Sequence, residues 1–368
     1  MNKVPVRIID SNFNLLGEID DYESLIFIRR FFNIGEFELH INLDKQNVDK
    51  LKDDNLILLG TCFNKVGIIE HIDKSMSEDG KDQLIIKGST LKGIVRRRIT
   101  VPLKDTAYDR AIGSQETIIK QFVNNNIVNP VDPNRKIQQL VIAEDKKRGK
   151  EDAWRTRYEN LSDKVIEIAE YSELGWDVIL DIEKNKWVFD IIEGRNLTAG
   201  QEELPPVIFS VDFDNIKNKH FLKSLLNYKN VAYAGGKGEE EERLIQQIGE
   251  SIGLDRREIF LDCSQADDIT ELKDMGKQKL QDYKITESFE AEVIPYGSFI
   301  YGEDWDLGDI VTVQDRKWGV TLNSRVIEIK EIYEVNGFNL ECTFGNSIPN
   351  LLDKIKKQDK ITQNLITK

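Results

Sequence analysis

The sequence predicts an α+β multidomain protein: two antiparallel β-barrel-like modules at the chain ends, with α+β units between them. Three observations predict it. Period-two alternation of apolar and polar residues concentrates in residues 1–100 and 286–346. Apolar residues at helical spacing concentrate between those blocks. Asp79-Gly80 and Asn336-Gly337 punctuate the two blocks as hairpin turns. At 368 residues the chain exceeds the ~100–200 of one ordinary domain. The reading divides it at 1–104, 105–204, 205–285, 286–347 and 348–368.

In the first block, Val4–Ile9 alternates weakly, and Leu25–Phe32 is apolar with Arg29 and Arg30 embedded. Gly35–Leu43 is the clearest strand. Phe37, Leu39, Ile41 and Leu43 face one way; Glu36, Glu38, His40 and Asn42 face the other. Asn55–Leu59, Val66–Ile72 and Leu84–Ile86 add short apolar runs. Strands at this spacing, with turns between them, predict a small antiparallel barrel or sandwich.

In residues 105–204, Thr117–Val128 reads as a helix capped by Ser114, followed by a polar loop over 124–152. Ser162 is the expected cap of a second helix, stopped by Gly175. Strands at Trp176–Ile182 and Lys186–Ile192 flank Lys184-Asn185. Pro205-Pro206 then marks a boundary. Val207–Phe213 and Ile259–Leu261 read as strands, Asn230–Tyr233 leads into the Gly-rich AGGKGEEEER, and Asp267–Tyr283 reads as an amphipathic helix. The last block alternates at Phe289, Ala291 and Val293, runs through a long strand Val320–Val335, and alternates again from Phe338 to Phe344. A final helix is expected near Pro349, before a polar tail.

The net charge of −14 argues against tight binding to nucleic acid or anionic membranes, whose partners need basic faces. No stretch approaches the ~18 apolar residues of a membrane span, and the N-terminus lacks the pattern of a signal peptide. Cys62, Cys263 and Cys342 are far apart, form no CxxC, and read as three small buried hydrophobes. His40, His71 and His220 lack any HExxH or HxH pattern, so no metal is expected. Gly235-Gly236-Lys237-Gly238 resembles a phosphate loop but fails its requirement: Gly238 and four glutamates follow the lysine where Ser or Thr should stand. It reads as a Gly-rich turn with an acidic edge. No GxSxG elbow is present, and no cofactor is expected.

The stretch Tyr301–Asp309 (YGEDWDLGD) sets Trp305 and Leu307 among acids, between Gly302 and Gly308. Two readings stay open: an exposed Trp that anchors an interface, or a β corner whose Trp caps the core.

Four segments, in order, resemble the siphovirus Gp37-like tail proteins: GSTLKGIVRRR (88–98), NVAYAGGKGEEEER (230–243), LDRREIFLDC (254–263) and GSFIYGEDWDLGDIVTVQDRKWGV (297–320). Within them, Arg96, Arg97, Arg98, Gly235, Gly236, Gly238, Trp305, Leu307, Gly308, Asp309 and Trp318 are the candidate interface or structural residues. The resemblance implies a structural tail-hub protein, not an enzyme, in a virion tail assembled in the bacterial host. It implies similarity to the central baseplate hub of contractile phages, a homotrimer whose two barrel-like domains per chain form a pseudo-sixfold ring. The implied partners are further copies of the chain, a tail tube or distal tail protein, and a tip, spike, fibre or tail lysin subunit. The genome would pass through the ring without specific binding. Rival readings are a tail-associated cell-wall hydrolase and a host-surface binding module.

Overall fold

The computed structural model describes residues 3–345, apart from 77–79 and 296. Most of the expected Ser77–Gly80 turn and the helix at Pro349 therefore lie outside the described residues.

Seven antiparallel strands form the first block: β1 (Val6–Ile9), β2 (Leu15–Ile19), β3 (Ser24–Arg30), β4 (Glu36–Asn42), β5 (Leu56–Leu59), β6 (Val66–Met76) and β7 (Asp82–Thr90). Their spatial order is β3-β4-β7-β6-β5-β1-β2. The alternation of β4 places Phe37, Leu39 and Ile41 in a core shared with Leu25, Phe27, Ile57 and Ile86. β5 is apolar at every position because both of its faces are covered. Ile57 and Leu59 face that core, while Leu56 and Leu58 face the next unit. The buried 3-10 turn Leu91–Arg97 leads the chain there.

The middle unit contains β8 (Asp109–Ser114), α1 (Gln115–Val123), β9 (Leu140–Ile142), β10 (Glu151–Thr156), α2 (Leu161–Ser172), β11 (Gly175–Asp181) and β12 (Lys186–Ile192). Ser114 caps α1, its hydroxyl accepting from the Thr117 N–H at 3.3 Å. For α2 the expected cap is displaced by two residues: the Asn160 side chain accepts from the Ser162 N–H at 3.0 Å. The polar stretch 124–152 is more ordered than expected. β9 pairs in parallel with β12, and β10 pairs with β8.

The charged run in that stretch is tied down by a buried carboxylate. Glu116 accepts from Arg148 at 2.8 Å and from Lys120 at 2.7 Å, and Lys120 also pairs with Asp190 at 2.8 Å. Burial pushes the Glu116 carboxyl up, but the Arg148 and Lys120 hydrogen bonds outweigh it and hold the group down to about 2, against an ordinary 4.5. A carboxylate depressed in the folded state stabilises the fold above its unfolded value, and that stability is lost as pH falls through the folded value. The middle unit is therefore expected to lose about 3 kcal/mol between pH 4.5 and 2. Glu116→Gln should lower stability at pH 7 and flatten this acid limb in urea titrations followed by tryptophan emission. An unchanged limb would contradict the assignment.

β13 (Asn196–Leu197), β14 (Ile208–Ser210) and β15 (Ile216–Ser224) precede a small insert. The insert holds β16 (Val231–Gly235), β17 (Ile245–Ile248), β18 (Glu258–Asp262) and α3 (Ile269–Leu280). Its sheet, ordered β17-β16-β18, packs Ala232, Ala234, Ile248 and Leu261 against Leu272 of α3. The chain closes with β19 (Thr286–Val293), β20 (Ile310–Asp315), β21 (Val320–Glu334) and β22 (Gly337–Gly345). β14 and β15 belong to this last block: β14 pairs in parallel with β20, and β15 pairs with β19. The expected strand Val207–Phe213 is cut short where Val211–Phe213 turns into a 3-10 helix.

The two end blocks are joined. β21 spans 15 residues; its first half pairs with β20 and its second with β22 and with β3. The β3 ladder runs from Glu328↔Arg30 to Glu334↔Ser24. One sheet thus runs β15-β19-β22-β21-β3-β4-β7-β6-β5-β1-β2. The expectation of two barrel-like modules is corrected in this respect: among the described residues no barrel closes, because the outer edge of β3 takes β21 instead of returning to β2. The β2 edge is met by a side chain, with the Asn47 amide donating to the Glu18 carbonyl at 2.9 Å.

Candidate functional site

The join between the end blocks is built on a conflict within β3. Leu25 and Phe27 point into the core, and the same alternation brings Arg29 to that face, where it is only 6% exposed. A guanidinium in such a place must be paired. It donates to Asp306 at 2.8 Å and to the Tyr301 hydroxyl at 3.1 Å. Tyr301 in turn donates to Glu331 at 2.6 Å, as does Tyr333 at 2.6 Å. Lys65 pairs with the same carboxylate at 2.7 Å. Glu331 lies on β21, fully buried. Burial works against the charge of Arg29, but Tyr301, Asp306, Asp177 and Glu331 hold it well above its ordinary value. Burial, with the Glu331 charge, pushes the Tyr301 phenol well up, so it stays a proton donor. The network joins β3, β21, the β5–β6 connection and the 301–309 stretch.

Phe31 follows as the apolar keystone. Its N–H continues the ladder to the Ile327 carbonyl at 2.8 Å, and its own carbonyl accepts from the Lys92 ammonium at 3.2 Å. The fully buried ring touches three units. A Cβ at Gly308 would stand 2.3 Å from it, and so would a Cβ at Gly175. Gly308 also has φ of +96°, so glycine is required there twice over. The Arg325 guanidinium lies 5.0 Å from the ring centre. Lys92 donates to the Arg30 carbonyl at 2.8 Å and sits 4.3 Å from the Trp176 ring. Burial lowers its ammonium to about 7; Asp177 opposes the shift, and Arg29 and Arg30 add to it.

The 301–309 stretch resolves as a core corner. Trp305 is 0% exposed and meets Phe209 edge-on at 5.1 Å and Tyr301 at 5.2 Å. Of the two open readings, its burial matches the cap of a core. Leu307 joins the same cluster. Asp309 is buried and accepts from the Arg195 backbone at 2.8 Å, from its guanidinium at 2.6 Å, and from the Asp306 N–H at 2.9 Å. The Gly308 carbonyl accepts from Arg325 at 2.7 Å.

The remaining candidates lie elsewhere. Arg96 pairs with Glu70, Arg97 with Asp54 at 2.6 Å, and Arg98 donates to the Arg135 carbonyl at 2.8 Å. They staple the first block within itself and to the middle unit. Gly235 and Gly236 lie where β16 ends: a Cβ at Gly235 would stand 2.5 Å from Phe260, and the Gly236 N–H donates to the Leu244 carbonyl at 2.7 Å. Gly238 has φ of +102° beside the Glu242 carbonyl, and Lys237 pairs with Asp267 at 2.7 Å. Trp318 is 45% exposed, with the Lys219 ammonium 4.2 Å from its ring.

Sequence reasoning missed Phe31, Lys92, Gly175 and Glu331. One signal was legible: Arg29 stands at a period-two position that should hold an apolar residue. The cysteine reading needs one correction. Cys263 and Cys342 are buried, but Cys62 is exposed, because it falls in the turn between β5 and β6. Among the described residues no group of His, Cys, Asp and Glu is arranged to hold a metal ion, and no helix is long and apolar enough to cross a membrane.

The architecture is that of phage tail proteins. The chain aligns with the prophage MuSo2 43 kDa tail protein from Shewanella oneidensis at TM-score 0.58 and 12% identity, over 92% of this chain and 97% of that one. It aligns with the tail protein from Neisseria meningitidis MC58 at TM-score 0.60 and 14% identity, over 94% and 97%. The prophage tail protein gp18 from Listeria monocytogenes EGD-e gives TM-score 0.56 and 11% identity, over 97% and 99%. By sequence, residues 5–346 match the Siphovirus ReqiPepy6 Gp37-like proteins, and the chain belongs to that family. No curated protein matches it.

Proposed function

We propose that this chain is a tail hub: copies of it form a closed ring at the tail tip, which joins the tail tube to tip, spike, fibre or lysin subunits and surrounds the axial channel. One observation carries the reading. The β3–β21 ladder makes the two end blocks a single continuous sheet, so each chain would bring two β modules side by side to a ring. Three such chains would present six modules, the number that adapts a sixfold tube to a threefold tip. The family supports a structural part over an enzymatic one. The middle unit and the insert form their own sheets beside this one.

The acidic composition, −14 overall, supports a channel wall that repels DNA phosphates and lets the genome slide. Electron microscopy of purified tails tests the ring. The expected result is three copies around the axis; a single copy per tail would remove the reading, and a basic channel wall would remove its electrostatic part.

A further inference from the structure

The insert carries an apolar tip that none of the described residues covers. Leu226 is 93% exposed, Ile252 87% and Leu254 100%. They share one tip because Asn230 ties their two loops together: its amide donates to the Asp255 carbonyl at 2.7 Å, and its side-chain oxygen accepts from the Arg257 N–H at 2.9 Å. The Arg257 guanidinium adds a bond to the Leu225 carbonyl at 3.2 Å. The loop is therefore held in shape while its apolar side chains point outward. Gly253, at φ of +58° with no atom within 4 Å of where a Cβ would stand, turns the loop in open space. Glu250 and Asp255 flank the apolar pair. Large aliphatic side chains held outward on a fixed loop mark an interaction surface.

The first block carries an apolar depression. It has a volume of about 400 Å³, and its floor is apolar, formed by Leu43, Val48, Leu51, Ile72 and Leu84. Its rim holds Lys45, Lys52 and Lys74 with Asp49. Lys45 is neutralised by Asp21 at 2.5 Å and Asp49 by Lys50 at 2.6 Å, which leaves Lys52 and Lys74 as the cations of the rim. An acid-flanked aliphatic knob and a lysine-rimmed apolar hole complement each other in polarity and charge. Among the described residues both stay open, so a contact between them joins two chains.

We infer that the insert tip of one copy, Ile252 and Leu254, docks into the Leu43–Leu84 depression of a second copy, with Glu250 and Asp255 against Lys52 and Lys74. The inference rests on the ring reading above and assigns it a contact. A patch that meets a different patch on the next subunit is heterologous, and such contacts generate closed rings when the rotation closes.

The test is sedimentation velocity of the full chain over a concentration series. Ile252→Glu with Leu254→Glu should raise the half-assembly concentration at least about tenfold. These side chains lie almost wholly exposed among the described residues, so the circular dichroism spectrum should stay unchanged. Lys52→Glu with Lys74→Glu should weaken assembly similarly. Adding Glu250→Lys with Asp255→Lys to that pair should restore most of it. If the wild type assembles and the Ile252/Leu254 variant assembles equally well, the contact is wrong while the ring reading stands. A charge swap without rescue also overturns it. So does a variant that assembles normally but no longer binds another tail component, because the occupant is then not a second copy. A wild type that stays monomeric throughout overturns both readings.

Discussion

Phe31→Ala is expected to lower the stability of the β3–β21 join by about 3–5 kcal/mol, the range for truncating a fully buried aromatic ring. The upper part of that range applies because the site cannot collapse. Gly308 and Gly175 approach the ring from two different units, each through backbone fixed by its own hydrogen bonds. The cavity would open where three units meet, so local opening should appear at the seam before the outer strands loosen. Native-state hydrogen exchange resolves this. Amides of β3 and β21 should exchange faster by the corresponding factor, while those of β1 and β17 stay near their wild-type rates. Phe213→Ala, at a half-exposed ring, serves as the control and should change stability by no more than about 0.5 kcal/mol. A Phe31→Ala protein with unaltered seam protection would mean that the ring is not the keystone.

Arg29→Met carries the second large effect, about 3 kcal/mol, at the low end of the cost of breaking a buried ion pair. The low end applies because Asp306 is partly open to water, while Glu331 keeps Lys65 and two tyrosine hydroxyls. Removing Arg29 and Glu331 together should cost less than the two single losses combined, because Tyr301 links them, accepting from Arg29 and donating to Glu331, and their opposite charges attract across it. Arg29→Met, Glu331→Leu and the double variant, compared by urea midpoints, give the coupling directly. Strictly additive losses would show that the two groups act independently across the seam.

Much of the fold was legible from alternation. β4 and β22 appear in the sequence as apolar residues at every second position, and Asn336-Gly337 marks the turn into β22. Alternation reports which face of a strand is buried, not which strand lies beside it. The pairing of β3 with β21, some 300 residues away in sequence, therefore left no trace. β5 shows the same limit from the other side: an unbroken apolar run means both faces are covered, without saying by what. Pro205-Pro206 looked like the start of a separate unit, yet the chain returns at once as β14 to pair with β20. The 301–309 stretch announced itself by composition. Composition does not say which of its acids turn inward, and Asp306 and Asp309 do, to Arg29 and Arg195. Arg29 itself was the informative exception, a charge where the period required a core residue.

Hydrogen exchange across the seam also tests the central claim, that the two ends of the chain are one sheet. The amides of Leu25–Arg30 and Glu328–Glu334 should open together, with one free energy and one denaturant dependence. If β21 instead exchanges with its own block while β3 exchanges as a free edge, the two blocks are separate bodies, and the hub reading loses its support.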